Sequence, residues 1–336
     1  MSHHYFHTHK PTHNPHHHPP VLDVVAVVSN TQRYESRYRL FKKFHEEMKA
    51  NPHVRLTVVE MAFGHRPHFV SDPNNHRHIH LRSDHDLWIK ECLINVGISR
   101  LPHDWKYVAW IDADVSFCHK DWAHETVEAL QHYQIVQPWE SCVDLGPYGS
   151  AIATHTSFGK YWVDGKITDT WPPTQYYGTP KPFPHTGYAW AARRDAINMM
   201  GNYFDGGLLT TAILGAADHH MAASLVGLGK FTVPSKVHPN YLRAVLDWEK
   251  NAQALKRNVG VVPGTILHDW HGKKVDRKYG SRWKILEKYQ FDPEVDVNKD
   301  WQNLWQLNVT NARQRGLRDA LRKYMKSRNE DSVDSV

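Results

Sequence analysis

The chain has 336 residues, room for two small domains or one large one at ~100–200 residues each. Hydrophobic residues make up 40% of it, with 13 Trp, 15 Tyr and 11 Phe, enough for a packed core and for some rings to face a ligand. The formal charge of +6 suits an anionic ligand such as a nucleotide diphosphate and does not by itself argue for nucleic acid. Three scattered cysteines, Cys92, Cys118 and Cys142, exclude a disulfide framework or zinc knuckle and read as buried reduced thiols. No run approaches the ~18 apolar residues of a membrane span, and the polar N-terminus lacks the apolar stretch of a signal peptide. A soluble, cytoplasmic protein of bacterial or viral origin is expected.

Residues 1–20 are low-complexity His/Pro sequence with nothing to bury, and read as a disordered tail. Order starts with the apolar run Leu22–Val28, as expected of a strand buried on both faces. After the polar turn Ser29-Asn30-Thr31, residues Tyr34, Tyr38, Phe41, Phe44 and Met48 recur at helical spacing. Val54–Met61 is a second strand, and the strand–helix–strand order predicts a βαβ start. Residues 64–86 read as loop. A helix over Asp86–Val96 carries Trp88, Cys92 and Val96 on one stripe and ends at Gly97, a natural left-handed stop.

Tyr107–Ile111 is a third apolar strand, followed by a helix over 122–133 and a strand at Ile135–Gln137. Residues 139–185, rich in Gly, Pro, Tyr and Trp, read as a long binding or lid loop. The pattern resumes with a strand at Gly187–Ala192 and helices over Arg193–Met200, Asp218–Gly227 and Tyr241–Lys256. A strand over Val259–Leu267 follows. The tail, 286–336, reads as a helical basic extension, with helices around Trp301/Trp305 and around Leu317, Leu321 and Tyr324.

Four motifs carry chemistry. Asp112-Ala113-Asp114 follows a buried strand, where ligands of open α/β sheets bind, and side chains two apart on an extended chain face one space. A hard divalent cation between such carboxylates resolves their repulsion with a diphosphate; a surface pair capping the next turn is the alternative. His268-Asp269-Trp270-His271-Gly272 also follows an apolar run, and imidazole with carboxylate suits Mn²⁺. With 27 histidines in the chain, solvated or core-satisfied imidazoles remain the competing explanation. Asp218 opens a helix, either as its N-cap or as a catalytic base. Gly187 precedes an apolar strand, either to let a ligand approach the backbone or simply to start a core strand.

Taken in this order, these pieces resemble the GT-A glycosyltransferases, especially the β-1,4-galactosyltransferase type and related bacterial and phage enzymes, over about residues 22–285. Leu87–Gly97 looks like that type's helix leading to its Asp-x-Asp strand. The resemblance implies an α/β fold, a nucleotide-sugar-binding, Rossmann-like mixed sheet flanked by helices over 21–285, with the helical C-terminal extension outside it. It implies Asp114, His268 and His271 as ligands of Mn²⁺ or Mg²⁺, and Asp112 near the ribose and metal. Gly187 would floor the donor-sugar pocket, Glu60 would meet the nucleobase, and Ser29, Asn30, Lys90 and Asn95 would join them on the donor side. Asp218 falls on the base of an inverting single displacement.

The implied donor is a nucleotide diphosphate sugar, UDP-linked; the acceptor stays open among a glycan, a small molecule and a modified DNA base. Two departures bear on sugar and acceptor recognition. His219 and His220 replace the family's acidic run, and its Trp-Gly-Trp-Gly loop is absent, leaving related work to Gly206-Gly207 and the 139–185 loop. Trp139, Tyr148, Trp162, Trp171, Tyr176 and Tyr177 offer flat faces for a sugar ring, or form a hydrophobic cluster private to the loop.

Two rivals follow from the same residues. A nucleotidyltransferase would carry a Gly-rich, basic loop after the first strand, where Ser29-Asn30-Thr31-Gln32-Arg33 has no glycine. A non-catalytic nucleic-acid-binding protein would use Arg313, Arg315, Arg318, Arg322, Lys323, Lys326 and Arg328 of the C-terminal helix.

Overall fold

The computed structural model describes residues 21–169, 183–201 and 206–333. The segment 1–20 expected to be disordered, and Trp171, Tyr176 and Tyr177 of the expected lid, lie outside the described residues. In chain order the elements are β1 (Leu22–Ser29), α1 (Glu35–Ala50), β2 (Val54–Phe63), β3 (His78–Ser83), α2 (Lys90–Ser99), β4 (Tyr107–Ile111), β5 (Val115–Phe117), α3 (Trp122–Ala129) and β6 (Ile135–Gln137). Then come β7 (Ser141–Leu145), β8 (Ala151–Ser157), α4 (Phe158–Val163), β9 (Pro184–His185), β10 (Ala189–Arg193), α5 (Arg194–Met200) and α6 (Ala217–Leu225). The rest are α7 (Pro239–Ala252), β11 (Val259–Val261), β12 (Thr265–His268), α8 (Trp283–Tyr289), β13 (Val297–Lys299), β14 (Trp305–Leu307) and α9 (Ala312–Ser327).

The main sheet runs β11-β6-β10-β4-β1-β2-β3. Its β3-β2-β1-β4 half is parallel, and β10 is antiparallel to both β4 and β6. This is the mixed α/β sheet flanked by helices that the sequence predicts. Both faces of β1 are buried, as its near-continuous apolar run requires, and Asp23 within it pairs with Arg55 at 2.7 Å. Val24, Ala26 and Val28 pack in one core with Phe41, Phe44 and Met48 of α1, while Val25 packs in the other with Cys92, Leu93 and Val96 of α2. A second, smaller sheet, β5-β12-β7-β8-β9, stands beside the carboxyl end of β4.

Several elements differ from expectation, each for a local reason. Residues 64–86 hold β3, where buried Ile79 and Leu81 alternate with His78, His80 and Arg82; polar alternation hides an edge strand. The 139–185 stretch holds β7, β8, α4 and β9, and β7 escapes notice because one of its buried positions is Asp144. The apolar run 259–267 breaks at Pro263-Gly264, Gly264 having φ +136°, into β11 and β12 of different sheets. The short β5 follows Asp114 directly, in residues to which the sequence pattern assigned no element. The 122–133 helix stops at Ala129.

Around Trp301 and Trp305 the chain forms the β13–β14 hairpin, not a helix. Asp300 accepts the backbone N–H groups of Gln302 and Leu304, Asn303 is left-handed, and Trp301 is 89% exposed. Cys118 is exposed, unlike buried Cys92 and Cys142.

The α2 helix starts at Lys90, not Asp86, and runs through Gly97 to Ser99, so Gly97 is no stop. Its role is close approach: a Cβ there would sit 2.5 Å from Val25 Cγ1 and 3.0 Å from Val59 Cγ2. Alanine inside a helix normally gains about 1 kcal/mol over glycine, but overpacking a core costs about 1–3 kcal/mol. We expect the clash to win: Gly97→Ala lowers the urea midpoint, and an unchanged or raised midpoint would show that α2 can back away from the sheet.

Candidate active site

The topology of the second sheet assembles the site. Strand β12 lies between β5 and β7, with His268 in register with Val115 on one side and Asp144 on the other. That register puts His268 beside Asp114, the residue before β5. The chain then turns, Asp269 N–H donating to the Asp114 carbonyl at 2.8 Å, and brings His271 back to the same point.

His271 Nε2 is 3.0 Å from Asp114 Oδ2, His268 Nε2 is 3.2 Å from His271 Nε2, and His268 Nε2 is 3.8 Å from Asp114 Oδ1. One ligand atom from each of the three residues lies within 4.8 Å of the others. All three residues are buried.

Protonation follows from the neighbours. His268 Nδ1 is 2.8 Å from the buried carboxylate of Asp144, which can only accept at neutral pH, so the ring donates there and turns Nε2 toward Asp114 and His271. Such a carboxylate–imidazole pair is what orients a metal-ligating histidine. Asp144 also receives the Tyr188 hydroxyl at 2.9 Å, His155 at 2.5 Å, and Lys274. Burial opposes its ionisation, but His155, His268 and Lys274 hold its carboxyl well below the usual range.

Asp114 behaves alike: burial opposes its charge, yet His271, His268 and Arg37 hold it low. Burial, with Arg277 and Arg37 nearby, pushes His271 well below ordinary imidazole, so it stays neutral. Asp114 Oδ1 is buried without any hydrogen-bond partner among the described residues. A carboxylate with one oxygen lacking a donor, beside two imidazole nitrogens, fits a divalent cation with mixed N/O ligands. Cis ligands on bonds of about 2.1 Å stand roughly 3 Å apart, close to the two shorter separations seen here.

These residues line one cleft of about 760 Å³, together with Ser29, Asn30, Lys90, Asp112, Gly187 and Asp218. The chain turns at Asp112 instead of staying extended, so the two acidic side chains part company: Asp112 pairs with Lys90 at 3.0 Å while Asp114 faces the histidines. Both still face the cleft. Asn30 spends its side chain on the Tyr34 backbone N–H and C=O, fixing the turn after β1. Asp218 is in the first turn of α6, and the cap position is Ala216 at φ +82°, so Asp218 is not the N-cap. Gly187 leaves room for it, since a Cβ there would meet Asp218 Oδ2 at 2.9 Å.

Two expected donor residues do not line the cleft. Glu60 accepts the backbone N–H groups of Phe69, Val70 and Ser71, tying a loop to β2. Asn95 pairs through both amide atoms with the Leu208 backbone at 3.0 Å. Trp139 is buried, its Nε1–H donating to the Ala189 carbonyl, Trp162 packs against the core, and Tyr148 is 84% exposed on the β7–β8 turn.

Sequence patterns gave no sign of Asp144, His155, Arg37, Arg277 or Glu330, because each reaches the site from an element of ordinary composition. Glu330, beyond α9, pairs with Arg37 and Arg328, and Arg37 reaches Asp114 at 3.2 Å. Several cations of the C-terminal helix are already paired: Arg313 with Asp296, Arg318 with Asp319, Arg322 with Asp86. No helix among the described residues is long and apolar enough to cross a membrane.

No protein-family model matches this sequence, and no curated protein matches it. Among solved structures, it is similar to a mutant Drosophila β1,4-galactosyltransferase 7 in complex with manganese, UDP-Gal and xylobiose. That match has 10% identity, 88% coverage of this chain, 98% of the other and a TM-score of 0.38. It is similar also to the glucosyl-3-phosphoglycerate synthase of Mycobacterium tuberculosis in complex with Mg²⁺ and UDP, at 10% identity, 86% and 87% coverage and a TM-score of 0.36. A third is the 4-diphosphocytidyl-2C-methyl-D-erythritol synthase of Anaerococcus prevotii, at 9% identity, 73% and 88% coverage and a TM-score of 0.31. Likenesses this distant leave the chemistry of the cleft to be read from its own residues.

One buried acid in the cleft titrates near neutrality. Burial raises the carboxyl of Glu91 to about 7, with Asp218 adding to the rise and Lys90, 3.9 Å away, opposing it. Between about pH 4.5 and 7 the folded chain therefore keeps a proton that the unfolded chain has lost, so this group's contribution to stability falls as pH rises. In Glu91→Gln, we expect urea titrations to show the decline flattened by up to about 1.4 kcal/mol per pH unit across that window. Parallel wild-type and variant curves would place the Glu91 proton elsewhere.

Proposed function

We propose that this chain is a metal-dependent glycosyltransferase of the GT-A kind. It moves a sugar from a nucleotide diphosphate sugar, UDP-linked, to an acceptor hydroxyl with inversion. The observation that carries this reading is the convergence of Asp114, His268 and His271, with an unpartnered carboxylate oxygen, in the same cleft as Asp218. The cleft's volume falls in the range of small-molecule and cofactor sites.

Asp114, His268 and His271 would hold Mn²⁺ or Mg²⁺. A bound divalent ion supplies charge compensation for the diphosphate and stabilises it as the leaving group. Asp112, paired with Lys90 at 3.0 Å in the same cleft, would lie near the ribose and metal, with Lys90 and Ser29 on the donor side. Arg277, whose guanidinium reaches His271 at 2.9 Å, and Lys274 add positive charge where the departing diphosphate gathers negative charge. Asp218 takes the proton of the acceptor hydroxyl as that oxygen attacks the anomeric carbon from the face opposite the diphosphate. The acceptor class is left to experiment.

Mn²⁺ with UDP should raise the melting temperature by several degrees, since a ligand at ~100 times its dissociation constant adds about 2.7 kcal/mol. Asp114→Ala should abolish that shift. Asp218→Asn should keep it while losing roughly 10²-fold or more of sugar transfer. A shift undiminished in Asp114→Ala removes the metal site, and full transfer by Asp218→Asn removes the base.

A further inference from the structure

We propose that His185 is a specificity-determining residue, its Nε2–H donating a hydrogen bond to a hydroxyl of the sugar under transfer. The inference rests on the glycosyltransferase reading and adds to it a residue to which the sequence motifs gave no role.

His185 ends β9 and lines the cleft. Its ring is held on two sides. It stacks on Tyr188 with centroids 4.1 Å apart and planes 2° from parallel, and the Gly187 backbone N–H donates to Nδ1 at 3.1 Å. A nitrogen that accepts a hydrogen bond carries no proton, so the neutral ring has its proton on Nε2. Burial, with His155 and Lys274 close by, keeps the ring neutral. No described residue accepts the Nε2–H. The result is a fixed donor on a cleft-lining residue, with no acceptor among the described residues.

Its position selects the ligand atom. A Cβ on Gly187 would meet His185 Cε1 at 3.1 Å and Asp218 Oδ2 at 2.9 Å, so imidazole and carboxylate flank one point. On the other side, Tyr188 has its ring centroid 4.8 Å from that of His268. His185, Tyr188 and His268 thus form a row of rings from the base to the metal ligands. Whatever lies along that row must join the diphosphate to the attacked carbon, and that is the sugar. Tyr188 itself is left-handed at φ +74°, a strain of about 1–3 kcal/mol that the packing of this row must hold.

The test uses the full chain with Mn²⁺ and three donors, UDP-glucose, UDP-galactose and UDP-N-acetylglucosamine, measuring slow hydrolysis, alongside UDP affinity by calorimetry. His185→Phe keeps a flat ring for Tyr188 and removes the donor; His185→Gln returns an N–H. We expect His185→Phe to lower kcat/KM for the preferred donor by roughly 3- to 12-fold and to narrow its lead over the others, with UDP affinity unchanged. His185→Gln should recover part of the lead. An unchanged donor ranking in His185→Phe overturns the assignment, as does loss of UDP binding in both variants, which would make His185 structural. A wild-type chain that neither binds UDP nor turns over any of the three overturns the glycosyltransferase reading itself.

Discussion

Asp114 and the Nε2 atoms of His268 and His271, converging on one small volume, are the constraint around which the molecule is built. Asp144 takes the outer proton of His268, and Arg277 and Arg37 oppose protonation of His271. Left to themselves, a buried carboxylate and two facing imidazole nitrogens would repel or draw protons. Arg37, 3.2 Å from Asp114, and Arg277, 2.9 Å from His271 Nε2, supply positive charge and N–H donors there. Burying the carboxylate still costs stability through its desolvation penalty.

The fold meets this cost with contacts from distant parts of the chain. The C-terminal segment closes the circuit: Glu330 pairs with Arg37 and Arg328, and Asp331 accepts the first free N–H groups of α1, from Glu35 at 2.9 Å and Ser36 at 2.8 Å. Asp331 so caps a helix whose own cap position, Tyr34, offers no side-chain acceptor. Gly272 lets the segment in, since a Cβ there would strike the Asn329 carbonyl oxygen at 2.6 Å. The turn bearing His271 and the end of α1 bearing Arg37 are thereby locked to one tail.

Much of this was legible in the sequence. The runs 22–28 and 107–111 are almost entirely apolar on both faces, as central strands require, and the acidic and histidine motifs stood at strand ends where a sheet presents ligands. Asp114, His268 and His271 could be named because carboxylate and imidazole side chains at strand ends are chemically distinctive. What stayed hidden was carried by alternation and by long-range pairing. Strand β3 looks polar because its exposed face is histidine and arginine, and β7 looks irregular because its buried position is an aspartate. Asp144 matters only through its register with His268, 124 residues away. Glu60 and Asn95 were placed by analogy of position, and the structure spends both on backbone N–H and C=O groups that those positions leave otherwise unpaired.

The most direct examination is of the coordination sphere itself. Pulsed electron paramagnetic resonance of Mn²⁺ bound to the full chain with UDP reads nitrogen couplings from imidazole and phosphorus couplings from phosphate on the same ion. Two imidazole nitrogens together with phosphorus are predicted, the nitrogen signals vanishing in the His268→Ala, His271→Ala double variant. Bound manganese that shows phosphorus but no imidazole nitrogen would contradict the site on which the proposed chemistry stands.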